Sequence, residues 1–479
     1  MININKIKAS NERFSNGLID AMYEETSFTE TANGAKTLAR TKSALVDFFA
    51  QAGAMRGKKD EALELFKRAF SEDNLIATRL LFYLRDVRGG QGERDLFRNC
   101  LQYLGEQEKE VFEKIVKYVP EYGRWDDLFF DNEKVFEFIK KQIDSDVNSE
   151  TPSLLGKWLK TINASSKNTR EKAKFIAGKL GLTNIAYRRV VRFLRKKIQT
   201  VEELMSARKW SDIKYENVPS QASLLYKNAF TKHDKNRYEK YIDDVNNGEK
   251  KINASTLYPY QLYDKAFDGD NSVEALWKNL PDYTRGTNAL VVADTSGSME
   301  GRPMSVSVSL ALYFAERNKG IFKNCFISFS EDPKIHKIKG MTLRQKMNSI
   351  KLGDVANTNI QSVFSLILGT AIKNNIPEEE MPETIYIISD MEFDNAVCGR
   401  TNYEIIKRRY KESGYKKPNI VFWNVNGNGE NLPSQDNEKG VTMVSGLSAS
   451  TFSLAVENKT PYEMMLDVAN SDRYNKIVL

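Results

Sequence analysis

Residues 288–298 read Asn-Ala-Leu-Val-Val-Ala-Asp-Thr-Ser-Gly-Ser, an apolar run that stops on a carboxylate and turns at once into hydroxyls. A short run with no polar alternation predicts a strand buried on both faces, as in a parallel sheet. Toward the C terminus follow a helical pattern, MSVSVSLALYFAERN, the strands NCFISFS and KIHKI, and a helix through IQSVFSLILGTAIKNN. Next come strand TIYIISD, helix NYEIIKRRYKES, strands NIVFWNVNG and VTMVSG, and helix PYEMMLDVAN. Strands alternating with helices of this length predict a doubly wound parallel α/β sheet over residues 286–479.

Toward the N terminus the pattern changes. From Thr37 to Asn247 segments such as EALELFKRAF, NLIATRLLFYLRDVR, KEVFEKIVKYV and AYRRVVRFLRKK place apolar residues at i, i+3, i+4 and i+7. The turns between them are short, so neighbouring helices run antiparallel. No fixed period is present, which favours an irregular HEAT-like stack over a regular repeat array. Residues 248–285 are aromatic-rich with weak periodicity and read as a connector. The fold class is therefore multidomain, α plus α/β: a helical domain over 1–285, with its connector from about 248, and an α/β domain over 286–479.

Composition narrows the function. The chain has 479 residues, 41% hydrophobic and 28% charged, with 12 prolines, inside the globular range. No apolar run is long enough for a membrane helix, and the first residues carry no signal-peptide core. A cytoplasmic location and no membrane association are expected. Three cysteines far apart and two histidines leave no disulfide framework, zinc pair or Ser-His-Asp triad. Asp126-Asp127 and Asp243-Asp244 lack the further carboxylates of a nuclease site. The expectation is a protein that binds and does not catalyse.

Charge is concentrated. The chain carries 71 Lys/Arg against 64 Asp/Glu, a net +7, and residues 151–200 hold 13 basic residues against the single acid Glu171. Such a block repels itself unless an anion lies against it. The candidates for that contact are Lys167, Arg170, Lys172, Lys174, Arg188, Arg189, Arg192, Arg195 and Lys196. Arg188, Arg192 and Arg195 fall on one helix face, a spacing suited to tracking phosphates. Trp158, Tyr187 and Phe193 are interleaved; bases could stack on them, but core packing is the stronger reading. Arg88-Gly89-Gly90-Gln91-Gly92 lacks the Lys-Ser/Thr of a phosphate loop and reads as a helix–helix turn.

The loop Asp294-Thr295-Ser296-Gly297-Ser298 can turn one carboxylate and two hydroxyls toward a single hard cation. Thr358, at the start of a helix, and Asp390, at the end of TIYIISD, supply the further oxygens. Taken together, these loops resemble the metal-ion-dependent adhesion site of von Willebrand factor A domains. The resemblance implies ligation, directly or through water, of Mg²⁺ (or Mn²⁺ or Ca²⁺) by Asp294, Ser296, Ser298, Thr358 and Asp390. It also implies that an acidic residue of a protein partner could take the open metal position. Glu392 and Asp394, just beyond, read as solvated loop acids.

The helical half, through RDVRGGQGERDLFR, YGRWDDLF, KWLKTINASSKNTR and INASTLYPYQL, resembles the TROVE module of the Ro ribonucleoproteins. In that family a ring of HEAT-like repeats is closed by a von Willebrand factor A domain. The resemblance implies a monomeric, ring-shaped RNA-binding protein whose partners are small noncoding or single-stranded RNA. The alternative is a metal-dependent protein-interaction scaffold that grips an acidic partner residue without RNA.

Overall fold

The computed structural model describes residues 27–284, 288–319, 321–329, 333–350, 359–394, 402–427, 431–454 and 459–479. The helical half runs through α1 (Ala44–Gln51), α2 (Lys59–Glu72), α3 (Asn74–Arg85), α4 (Asp95–Gln107), α5 (Lys109–Ile115) and α6 (Glu133–Asn148). It continues through α7 (Lys167–Lys179), α8 (Asn184–Ile198), α9 (Ser220–His233) and α10 (Lys235–Asn246), with short helical turns between. Several helices start where a short polar side chain takes a free amide: Ser43 on Val46, Asp73 on Ile76, Asn132 on Val135 and Thr183 on Ala186. The α8 helix ends at Gln199 in the left-handed conformation. Its last turn carries Arg195, Lys196 and Lys197, which suit the negative end of the helix.

Two segments differ from the sequence reading. The connector contains a helix, α11 (Asn271–Lys278), with Val273, Leu276 and Trp277 fully buried at i, i+3 and i+4. Eight residues are too few for that periodicity to stand out. Ahead of α1, strands β1 (Phe28–Glu30) and β2 (Lys36–Leu38) form an antiparallel hairpin. Three-residue strands leave no alternation to read.

The α/β half is a six-stranded sheet of β3 (Ala289–Asp294), β4 (Cys325–Phe329), β5 (Lys334–Lys337), β6 (Thr384–Ser389), β7 (Asn419–Asn424) and β8 (Val441–Ser445). Its order is β5-β4-β3-β6-β7-β8. Helices α12 (Arg302–Arg317), α13 (Ile360–Asn374), α14 (Asn402–Ser413) and α15 (Pro461–Ala469) accompany it. All neighbours pair in parallel except β4 and β5, which are antiparallel. The expected all-parallel sheet is thus corrected at one edge. Only four residues separate β4 from β5, too few for a parallel crossover. The strand order reverses between β3 and β6, and ligands of such sheets bind at the carboxyl ends around that point.

Both ends of the helical half meet the α/β half. Near the start, Gly53 N–H donates to Ser445 Oγ at 2.9 Å and Gly427 N–H to the Ala54 carbonyl at 3.0 Å. The fully buried Asp86 accepts from Arg473 Nη2 at 2.7 Å and Tyr474 Oη at 2.9 Å. At the other end Trp277 Nε1 donates to Glu316 at 2.8 Å and Arg317 Nη2 to the Trp277 carbonyl at 2.7 Å. The chain therefore leaves the α/β half and returns to it, and the helices between line an open cavity of about 2110 Å³.

Candidate functional site

Asp294 ends β3 and Asp390 follows β6, its immediate neighbour in the sheet. Asp294 is fully buried; its Oδ1 accepts the Ser296 N–H at 2.9 Å and its Oδ2 the Ser389 hydroxyl at 2.6 Å. Ser296 Oγ lies 3.2 Å from Ser298 Oγ. Asp390 Oδ1 accepts the Glu392 N–H at 3.1 Å, whereas its buried Oδ2 meets no hydrogen-bond partner among the described residues. Burial, and then the charge of Asp390, push the Asp294 carboxyl up to about 7. Two carboxylates and two hydroxyls are thus gathered at the switch point; among the described residues one carboxylate oxygen is unsatisfied and no Lys or Arg is bonded to either acid. Such an all-oxygen set fits a hard divalent cation. Thr358 lies outside the described residues. Among the described residues no three His, Cys, Asp or Glu side chains form a metal cluster.

The second feature is the cavity. Its lining carries thirteen Lys/Arg and five Asp/Glu, together with Trp125, Phe138, Trp158, Tyr187, Tyr226 and Tyr258. Part of the charge is neutralised: Arg56 pairs with Glu93, Lys157 with Glu202 at 3.3 Å, and Lys160 with Asp126 at 3.5 Å. Arg124 lies with its guanidinium 4.8 Å from the Trp158 ring centroid. Burial, and then the charge of Arg85, hold Arg124 below the usual arginine range. Arg188, Arg189, Arg192 and Arg302 line the cavity, are exposed, and have no acidic partner among the described residues.

The predicted basic set divides. Arg188, Arg189, Arg192 and Arg195 reach the cavity together on α8. Arg195 is held there by the protein itself, donating to the carbonyls of Gly156 and Leu159 and to Thr161 Oγ1. Lys167, Arg170, Lys172, Lys174 and Lys196 are not in the lining. Arg170 caps the carbonyls of Ala164 and Ser165, and Lys167 faces Glu171 at 3.9 Å. Tyr187 is a core residue, its hydroxyl on the Lys160 carbonyl at 2.9 Å; Trp158 is half-buried and Phe193 exposed. Glu392 corrects the reading of a solvated acid: it is 4% exposed and accepts from Ala32 N–H and Asn431 Nδ2.

Sequence reasoning missed the further basic residues of the lining, Arg56, Arg88, Arg94, Lys117 and Arg124, with Arg302 from the α/β half. A signal was present. Arg56-Gly57, Arg88-Gly89, Gly123-Arg124 and Gly301-Arg302 each set an arginine beside a glycine at the end of an element. The Arg88–Gly92 turn does join α3 to α4 as read. Gly90 is required in it, since a Cβ would sit 2.0 Å from the Tyr83 carbonyl oxygen.

Comparison with known proteins follows the same division. Residues 288–476 match the model "Domain of unknown function (DUF7788)", and residues 31–109 and 156–291 match "Domain of unknown function (DUF2828)". The chain is 31% identical over 504 residues to "Uncharacterized protein L728" of Acanthamoeba polyphaga mimivirus, covering 92% of this chain and 87% of that protein. It is also similar to the crystal structure of the Deinococcus radiodurans RO (RSR) protein, at 10% identity and a TM-score of 0.38 over 92% of this chain and 96% of the other, too low to carry an argument. The chain belongs to the family of the mimivirus protein L728, with a DUF2828 region followed by a DUF7788 region.

Proposed function

We propose that the chain is a non-enzymatic RNA-binding protein that holds single-stranded or small noncoding RNA in its basic cavity. The observation that carries this reading is the α8 wall, where Arg188, Arg189 and Arg192 are exposed, line a large open cavity and have no acidic partner among the described residues. Adjacent unpaired cations repel one another, and a phosphate chain relieves that repulsion while releasing its own counterions. Leu154, Ile185 and Leu225, 54%, 64% and 70% exposed, line the same space and offer apolar surface to unpaired bases. The Ro-like motifs of the helical half point the same way.

In the same reading the α/β half is a von Willebrand factor A-like domain. Asp294, Ser296, Ser298 and Asp390, with Thr358, would hold one Mg²⁺ (or Mn²⁺ or Ca²⁺), which would offer an open position to an anionic group. The scaffold alternative draws on the exposure of Gly297 and Ser298 at the rim of that loop, where a partner's carboxylate could reach the cation.

Purification of the full chain from cells separates the two. The RNA reading expects bound nucleic acid, seen in the 260/280 nm absorbance ratio, removable by high salt and recovered as RNA on sequencing. Protein that is free of nucleic acid and does not bind a single-stranded RNA oligonucleotide, yet binds an acidic peptide only with Mg²⁺ present, would favour the scaffold.

A further inference from the structure

We infer that the N-terminal hairpin sets the position of Asp390, and so tunes the affinity of the cation site from the opposite end of the sequence. The inference rests on the cation-site reading above. It starts from residues 390–394, the segment that leaves β6. Asp390 Oδ1 accepts the Glu392 N–H at 3.1 Å, so the backbone of this segment bears directly on the carboxylate. Met391 between them has φ 65°, a left-handed conformation that a residue with a side chain keeps only where its neighbours over-determine it.

Those neighbours are fixed by the turn of the hairpin. Thr31 Oγ1 donates to the Phe393 carbonyl at 2.7 Å, and Asn33 Nδ2 to the Glu392 carbonyl at 2.7 Å. Ala32 N–H donates to Glu392 Oε2 at 2.6 Å, and Gly34 forms a β-bridge with Asp394. The other Glu392 oxygen accepts from Asn431 at 2.7 Å, so both oxygens of this buried acid pin the segment to its neighbours. Glu392 and Thr31 are positioning residues, acting through the backbone that orients Asp390. A two-stranded hairpin is marginal in water by itself, so its docking depends on these bonds and on the Leu38–Leu432 bridge. Docking and cation binding therefore share one segment, and each must favour the other.

The test uses the full chain and Mn²⁺ alone. Thr31→Val combined with Asn33→Ala removes both side-chain bonds to residues 392–393, and with them the Ala35 N–H bond to Thr31 Oγ1 within the turn, and changes no charge near the site. Titration calorimetry should show Mn²⁺ affinity weakened by about tenfold, the scale of outer-shell substitutions at metal sites. Mn²⁺ should in turn slow hydrogen exchange of amides 28–38 in the unmodified protein and leave it unchanged in Asp294→Ala, a reciprocity that a merely structural hairpin would not give. The exchange measurement needs no variant of the hairpin, so misfolding of the double variant cannot shield the inference. Unchanged affinity in a folded double variant, or unchanged exchange on Mn²⁺ addition, overturns the coupling alone. Unmodified protein that binds no Mn²⁺ overturns the cation site and the coupling with it.

Discussion

Arg195 donates from Nη2 to the Leu159 carbonyl at 2.7 Å, and that bond sets it apart from Arg188 and Arg192 on the same helix face. Its Nε and Nη1 are also engaged, on the Gly156 carbonyl and the Thr161 hydroxyl. One guanidinium thus ties α8 to the segment after α6, while its neighbours are left to face the cavity.

Replacing Arg195 by Gln should therefore lower stability, by about 2 kcal/mol, because a charged donor leaves several acceptors unmatched. Arg188→Gln should change stability by no more than about 0.5 kcal/mol. Urea or thermal unfolding of the two variants checks the contrast; equal stabilities would show that the Arg195 bonds hold nothing together.

Asp86 should matter in the same structural sense at the seam between the two halves. It is fully buried and satisfies Arg473 and Tyr474 of the C-terminal tail. Asp86→Ala leaves both without their acceptor and should cost about 3 kcal/mol. Limited proteolysis should then cut the tail after residue 470 faster than in the unmodified protein.

The pH dependence of stability has a local source in Asp47 of α1. Burial raises its carboxyl from 3.8 to about 6, outweighing the Thr41 hydrogen bonds and the attraction of Arg68, with Asp436 adding to the rise. Because the folded value is the higher one, the stability this group contributes is fully present below pH 3.8 and is lost as pH rises through about 6. Between pH 5 and pH 7.5 that loss is about 1–1.5 kcal/mol. Asp47→Asn should remove this part of the pH dependence. Thermal midpoints of both proteins at the two pH values provide the check.

Much of this architecture is legible in the sequence, for identifiable reasons. Long segments with one face to bury, such as α2 and α8, repeat their apolar residues often enough to be read, and β3 and β6 are uninterrupted apolar runs ending in Asp or Ser-Asp. What escapes is set by long-range partners. Arg195 and Arg188 are the same residue type on the same face, and only the carbonyls of Gly156 and Leu159 distinguish them. Glu392 looks like any loop acid until Ala32, about 360 positions earlier, is placed against it. The rest of the cavity lining gathers arginines from turns scattered between positions 56 and 302, each unremarkable alone.

The cation site yields a direct prediction. Asp294→Ala removes the central carboxylate and should abolish binding of Mg²⁺ or Mn²⁺ while the circular dichroism spectrum stays that of the folded protein. Calorimetry that finds unchanged divalent-cation affinity in this variant would place the cation elsewhere.

The central claim, that the cavity binds RNA through Arg188, Arg189 and Arg192, is tested most directly by salt dependence. Affinity for a single-stranded RNA oligonucleotide is measured across a series of salt concentrations for the unmodified chain and for Arg188→Gln, Arg189→Gln and Arg192→Gln combined. Each lost phosphate contact flattens the slope of log affinity against log salt by about 0.7. The triple variant should therefore bind more weakly, with a slope shallower by about 2, and keep its thermal midpoint. The same affinity and the same slope in both proteins would contradict the account.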